Sequence, residues 1–230
     1  MSAELGSLTT VQVAERPNSL IVAVPLGSCE QHGPHLPLDT DSAVAAALCD
    51  SLCAHRGDVV VGPLVGMGAS GEHAGFAGTL SVGTGFLAAY LTEVVRSARD
   101  WSRGVVLVSG HGGNLAALHE VSRTATHEGD SLVVFVPAID GADAHAGRTE
   151  TSLMLAINGA RVRHNEMVAG NTSPMSVLEP ALRSGGVAAV SPNGVLGDPL
   201  GATAAEGRAL LDQLGARLRA EVAAAFGDVS

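Results

Sequence analysis

The chain is poor in aromatic residues and cysteine and has no long apolar run, and each shortage excludes a class of protein. Its 230 residues include only four Phe, one Trp and one Tyr, so the core must be packed from Ala, Val and Leu. Cys29, Cys49 and Cys53 are too few and odd in number for a disulfide framework, which fits a reducing compartment. No apolar run reaches the roughly 18 residues that cross a bilayer, and the N-terminus lacks the pattern of a secretion signal. We expect a cytoplasmic protein with no membrane partner.

Positive charge is also scarce. The formal net charge is −10, and no basic cluster interrupts it, so phosphate backbones and anionic lipids are repelled. Nucleic-acid partners are therefore not expected. The length suits one α/β unit with one core, and neither a repeat nor a linker divides it. Residues 1–230 are predicted to form a single domain.

Apolar runs rich in β-branched residues alternate with segments of helical period. This alternation is typical of a three-layer α/β/α sandwich with a mostly parallel central sheet. The predicted strands are Leu20–Leu26, Val59–Gly62, Val105–Ser109 and Leu132–Val136. The predicted helices are Ser42–His55, Thr84–Arg103, Asn114–Glu128 and Thr203–Phe226. Stretches rich in Gly and Pro predict loops at Gly62–Gly85, Asp140–Gly147 and Gly170–Gly201.

Polar side chains follow two of the predicted strands, at the sheet edge where open parallel sheets bind ligands. Glu30, His32 and Asp41 come after the first strand, and His111 follows Val105–Ser109. Glu30 and His32 are two residues apart, so in extended backbone they point to the same side. A carboxylate and an imidazole suit Zn, Mn or Fe(II) better than Ca or Mg. These four side chains are candidate metal ligands.

Each candidate also has a purely structural interpretation. Asp41, or Asp39 beside it, can cap a helix, and His111 can sit by chance in a tight turn between glycines. A third cluster, His145–Ser152, offers an imidazole for proton transfer and Glu150, which can equally be a first-turn acid favoured by the helix dipole.

Two other chemistries compete with a metal site. Cys29 beside Glu30 is a possible nucleophile with a nearby histidine as base, or a buried thiol. The glycine-rich segment 110–113 follows a strand and precedes a helix, but it lacks the full dinucleotide fingerprint.

Four segments together resemble the creatininase family of metal-dependent amidohydrolases: Val24–Asp41, Gly71–Thr79, Gly110–Asn114 and His145–Ser152. The resemblance implies an α/β/α sandwich, two divalent metal ions per subunit at the carboxyl edge of the sheet, and a homo-oligomer, often a hexamer.

The resemblance also implies roles for individual residues. Glu30 and His111 would bind one metal, His32 the other, and Asp41 would bridge the two. Creatinine-hydrolysing members carry a glutamate ligand where this chain has Gly113, so we expect Glu150 to reach the vacated position. His145 matches the proton-transfer histidine, although the acid that often precedes it is replaced by Ala144. Ser70, His73 and Gly112 match substrate-contacting positions.

Further segments, Gly185–Ser191, Gly194–Pro199 and Ala204–Gly207, resemble a peptidase branch of that family. The branch implies release of a C-terminal Val-Tyr dipeptide from a modified ribosomal peptide during redox-cofactor biosynthesis. Two alternatives stay open: hydrolysis of a small cyclic amide or a formamide, and a non-catalytic metal- or nucleotide-binding scaffold.

The corresponding mechanistic hypothesis has two metals acidifying a water and polarising the scissile carbonyl, while His145 passes a proton to the leaving nitrogen. His35, Asp39 and Asn114 are candidates for orienting the metal ligands.

Overall fold

A computed structural model describes residues 3–228 of the chain. In this part a sheet of four strands has the order β2-β1-β3-β4, and every neighbouring pair is parallel. The strands are β1 (Ile21–Leu26), β2 (Val59–Val61), β3 (Gly104–Ser109) and β4 (Leu132–Phe135). Because β1 and β3 are adjacent and in register from Ile21 opposite Gly104 to Leu26 opposite Ser109, they end side by side at the centre of the carboxyl edge.

Helices cover both faces of the sheet. They are α1 (Thr10–Ala14), α2 (Thr40–His55), α3 (Thr84–Ala98), α4 (Leu115–Glu128), α5 (Arg148–Asn158), α6 (Met175–Gly185) and α7 (Ala204–Phe226). Helices α3 and α4 share one apolar core with the sheet, and α2, α5 and α7 share the other. The predicted three-layer α/β/α sandwich is confirmed. None of the helices within residues 3–228 is both long and apolar enough to cross a membrane.

Strand β1 explains why the sheet is covered on both faces. Its residues are all buried, and they alternate between the two cores: Val22 and Val24 pack with α3 and α4, whereas Ile21 and Ala23 pack with α2 and α7. Successive side chains of a strand point to opposite faces, and burying each Val or Ile contributes about 1.5 to 3 kcal/mol. A strand that is apolar at every position therefore requires helices on both sides.

The structure corrects three of the predicted boundaries and loops. The stretch Gly170–Gly201, predicted as loop, contains α6, which buries Leu178 and carries Pro180 inside it. Proline in a helix interior removes a backbone donor and normally ends the helix, so the sequence pattern favoured a loop. Helix α3 ends at Ala98 instead of continuing to Arg103, and the short helix α1 was not predicted.

Candidate metal centre

The first turn of α2 lies directly against the ends of β1 and β3. Two glycines permit this close approach: a Cβ on Gly27 would lie 2.1 Å from Ser42 Oγ, and one on Gly110 would lie 2.2 Å from Asp41 O. Asp41 is the second residue of α2, whereas the sequence placed it just before the helix. The packing brings its carboxylate between the segments that follow the two strands.

One group of possible ligands consists of Glu30, Asp41 and His111, all buried. His111 Nε2 is 3.2 Å from Glu30 Oε2, and His111 Nδ1 is 3.2 Å from Asp41 Oδ2. One ligand atom from each residue lies within 4.8 Å of the other two. Glu30 and His111 come from the segments that follow β1 and β3, and Asp41 comes from the first turn of α2.

A second group consists of His32, Asp41 and Glu150. His32 Nε2 lies 3.1 Å from Asp41 Oδ1 and 3.7 Å from Glu150 Oε2. Glu150 is in the first turn of α5, and its Oε2 also accepts a hydrogen bond from Ala146 N at 2.6 Å. Asp41 contributes one carboxylate oxygen to His32 and the other to His111, which is the arrangement that a ligand shared between two ions needs.

His145 completes a third group with Glu30 and His32. Its Nε2 is 2.8 Å from the carbonyl oxygen of Gln31, and because a carbonyl only accepts, Nε2 carries the proton. Nδ1 therefore presents its lone pair toward the cluster, 3.9 Å from Glu30 Oε1. Burial, followed by the nearby His32 and His73, holds the pKa of His145 well below its usual value.

The environment of Glu30 shows whether these residues fit a cation. Its side chain is fully buried, yet neither carboxylate oxygen makes a well-formed hydrogen bond within residues 3–228. Burial, with Asp41 nearby, raises the pKa of Glu30 to about 8. Buried carboxylates without partners are costly and are found paired or bound to metals. The donors around Glu30 are carboxylate oxygens and imidazole nitrogens, so the residues present fit a divalent cation of the Zn, Mn or Fe(II) type.

The histidines of the two groups are strongly influenced by the acids beside them. Burial alone would lower the pKa of His32, but Asp41, Glu150 and Glu30 raise it to about 9. Burial likewise opposes protonation of His111, and hydrogen bonds to Asp41 and Glu72 raise its pKa well above the usual value. The neighbouring acids thus favour the charged form of both imidazoles, whereas a metal ligand must be deprotonated.

The three residues predicted to contact substrate lie at or beneath the cleft. Gly112 is exposed there. Ser70 is fully buried, with its hydroxyl 3.5 Å from His111 Nε2. His73 Nε2 is 3.3 Å from Glu30 Oε1, and burial lowers the pKa of His73 to about 4. Contact with substrate stays a prediction for all three.

A cleft of about 470 Å³ opens above the cluster. Asp41, His111, His145 and Glu150 lie along its floor, and α6 forms one wall through residues that include Met175, Glu179, Leu182 and Arg183. The cleft can hold a segment of a peptide or a small molecule. It places either one directly over the candidate metal ligands.

Three residues of the site were not predicted from the sequence. Buried Gln31 donates from its amide to His73 Nδ1 at 2.9 Å and to Gly194 O at 3.1 Å. Asp143 accepts from the backbone N–H of Arg148 at 2.9 Å and so caps the helix that carries Glu150. An aspartate a few residues before a helix was the available signal for Asp143. Glu72 lies 3.4 Å from His111 Nε2 through its Oε1.

Two of the three residues expected to orient the ligands are buried near the site. His35 Nε2 is 2.9 Å from Thr151 Oγ1, and Asn114 joins the segments after β1 and β2 through hydrogen bonds to Gly27 O and Ala69 N. Asp39 is different: its carboxylate is half exposed and accepts from Arg161 at 2.6 Å. The expectation for Asp39 is wrong, because its side chain turns to a surface arginine.

Comparisons with known proteins agree with this geometry. A family model described as "Creatininase: Creatinine amidohydrolase" matches residues 6–222. The "Mycofactocin precursor peptide peptidase" of Mycolicibacterium smegmatis is 49% identical over 217 residues, covering 91% of this chain and 86% of that protein. Its namesake in Mycobacterium tuberculosis (strain H37Rv) is 48% identical over 214 residues, covering 89% and 84%. A deformylase of Methanobrevibacter ruminantium, named for a formylaminopyrimidine nucleotide, is 27% identical over 137 residues, covering 58% and 57%.

Solved structures agree on the fold. "Creatininase Mn" superimposes with a TM-score of 0.82 at 22% identity, covering 99% of this chain and all of that one. A mutant creatininase described as "Zn-Zn type" gives a TM-score of 0.81 with the same identity and coverage. From the span of the family match and the identity to the peptidases, the chain belongs to the creatininase family.

Proposed function

We propose that the chain is a dinuclear metal-dependent peptidase that releases a C-terminal Val-Tyr dipeptide from the modified mycofactocin precursor peptide. The observation that carries the proposal is buried Glu30, whose unpartnered oxygens face His111 and His73 beneath an open cleft. Identity of 48 to 49% to peptidases named for that peptide supports the substrate.

The ligand set divides into two sites that share one residue. Glu30 and His111 would hold the first ion, His32 and Glu150 the second, and Asp41 would contact both. In this proposal Glu150 supplies the ligand that Gly113 lacks. When bound, such ions supply Lewis-acid chemistry, which polarises an amide carbonyl and lowers the pKa of water. Zn, Mn and Fe(II) all accept this set, so availability decides the occupant.

His145 is proposed to carry the proton to the leaving nitrogen. Its Nδ1 lone pair faces the cluster because Nε2 is fixed on the Gln31 carbonyl. A pKa held below the usual value keeps the ring neutral, so its lone pair is free to take up a proton, and a weak base gives that proton up readily to a leaving group. The same imidazole is close enough to Glu30 and His32 to bind an ion, and the two roles are separable by experiment.

The substrate proposal is tested with three candidate substrates. Purified, metal-loaded protein is incubated separately with the modified precursor peptide, creatinine and a formylaminopyrimidine, and the products are identified by mass spectrometry. Release of a dipeptide from the peptide alone is the expected result. Turnover of one small amide with an intact peptide would replace the proposal with the amidohydrolase alternative.

The metal requirement is tested with matched variants. Glu30→Gln and His111→Ala should each lose bound metal and peptide hydrolysis, because each removes a buried ligand. Glu120→Gln and His119→Ala are the controls, since they make the same changes on the exposed face of α4. Full activity after complete chelation would refute the mechanism.

A non-catalytic metal- or nucleotide-binding scaffold is the alternative from another class. It predicts tight metal binding without turnover. Identity of 48 to 49% to proteins named as peptidases favours the enzyme.

We propose three further properties that follow from the sequence. They are a single domain over residues 1–230, a cytoplasmic location, and a homo-oligomer, with a hexamer as the size implied by the family. Two large apolar side chains exposed on α3, Phe86 and Tyr90, support an assembly. The net charge of −10 supports the absence of a nucleic-acid partner.

A further inference from the structure

A side chain at position 113 would have three close neighbours. Its φ is not in the left-handed region, so backbone conformation does not require glycine there. A Cβ at this position would lie 2.3 Å from Glu72 Oε1, 2.3 Å from His111 Nε2 and 2.6 Å from Ala69 O. The carboxylate of Glu72 therefore reaches directly over the backbone at residue 113, beside the imidazole of His111.

His111 Nε2 has two carboxylates as neighbours. Glu30 Oε2 is 3.2 Å away and Glu72 Oε1 is 3.4 Å away. Donor atoms bound about 2.1 Å from a tetrahedral ion lie about 3.4 Å from one another. Each carboxylate is therefore as far from His111 Nε2 as one ligand of an ion is from another, although Glu72 would have to turn further toward Glu30 to complete the set.

The backbone around Glu72 is held in place from two sides. Glu72 belongs to a short 3₁₀ turn, Gly71–His73, whose last residue packs against Glu30. On the outer side, a Cβ on Gly186 would lie 2.5 Å from Glu72 O. The turn is therefore fixed between the cluster and the segment after α6, and the Glu72 side chain is about one-third exposed where it lines the cleft.

We propose that Glu72 is an additional ligand of the ion held by Glu30, Asp41 and His111. This inference rests on the metal centre proposed above and adds a carboxylate to it from the loop after β2. Because Glu72 is the most exposed acid of the set, it is also the ligand nearest to an entering substrate.

The experiment measures metal binding directly. Wild-type protein, Glu72→Gln and Glu179→Gln are first freed of metal with a chelator and then titrated with Zn²⁺ in competition with a chromophoric chelator. Mn²⁺-loaded samples of the three are compared by electron paramagnetic resonance. Glu179 lines the same cleft but pairs with Arg183 on α6, so its variant controls for the loss of one negative charge. Groups that only orient metal ligands contribute about 10- to 100-fold to affinity, so Glu72→Gln should weaken one of the two sites by at least that much and change the Mn²⁺ spectrum, whereas Glu179→Gln should do neither.

The inference would be overturned if Glu72→Gln had the same Zn²⁺ affinities and the same Mn²⁺ spectrum as Glu179→Gln. Glu30→Gln separates this failure from failure of the metal centre, because that variant should lose the same ion whatever Glu72 does. If Glu72→Gln does not fold, Glu72→Asp gives the same test, since it keeps the charge and withdraws the carboxylate by one methylene.

Discussion

Replacing Gly110 with alanine should separate α2 from the end of β3 and disturb the metal centre without replacing any ligand. The added Cβ would lie 2.2 Å from Asp41 O and 2.9 Å from Asp41 C. Both are backbone atoms, so no side-chain rotation can relieve the overlap. Ordinary contact begins at 3.4 Å, which requires Asp41 to move by about 1 Å.

The expected cost follows from that displacement. Overpacking of this kind destabilises a core by about 1 to 3 kcal/mol, partly offset by about 0.4 to 1 kcal/mol from the lower entropy of the unfolded alanine chain. A shift of about 1 Å in a catalytic group can cost about 100-fold in rate. Gly110→Ala should therefore fold with reduced stability and lose most of its activity.

Denaturant unfolding, metal analysis and peptide hydrolysis measure the three effects. Gly112→Ala is the matched control for stability and metal content, because a Cβ two residues later meets nothing within 4 Å, and it should stay within about 0.5 kcal/mol of wild type. If Gly110→Ala keeps wild-type stability and metal content, the close contact between residue 110 and the Asp41 backbone is not what positions Asp41.

Three further predictions concern proton transfer, metal removal and pH. His145→Ala should keep both metals while peptide hydrolysis falls by about 100-fold or more; loss of metal would instead make His145 a ligand. Chelation should lower the free energy of unfolding by about 2.7 kcal/mol for a site held at 100 times its Kd, and unchanged denaturation midpoints would exclude a bound ion. Hydrogen bonds from Arg96 and Arg99 lower the pKa of Glu128 from 4.5 to about 2. Its ionised form therefore stabilises the fold fully above pH 4.5, and this contribution is lost as the pH falls toward 2. Glu128→Gln should therefore be less stable than wild type at pH 7, with a difference that narrows below pH 4.5; a constant difference in denaturation midpoint would contradict the assignment.

The convergence of the predicted ligands could be inferred from local pattern. The apolar runs of β1 and β3 indicate buried parallel strands, and parallel strands end at one edge, which brings Glu30 and His111 together. The spacing of Glu30 and His32 places both side chains at the same site. These inferences needed only the periodicity of the chain and the topology that it implies.

Other features depend on contacts that leave no local signal. Glu72 meets His111 across 39 positions of sequence, and only the packed structure shows that Gly113 leaves room for its carboxylate. Helix α6 was not predicted because Pro180 lowers the helix propensity of its sequence. Tertiary packing of buried Leu178 supports the helix nevertheless. Asp39 was expected to orient the metal ligands because it is close to Asp41 in sequence. Its ion pair with Arg161, which is distant in sequence, could not be foreseen from the local pattern.

Anomalous diffraction from metal-loaded crystals would test the central claim most directly, because it locates ions independently of activity. We expect two peaks beneath the cleft, one among Glu30, Asp41 and His111 and one among His32, Asp41 and Glu150. A fully loaded crystal with no peak at these side chains, or with its ions bound elsewhere on the chain, would contradict the account.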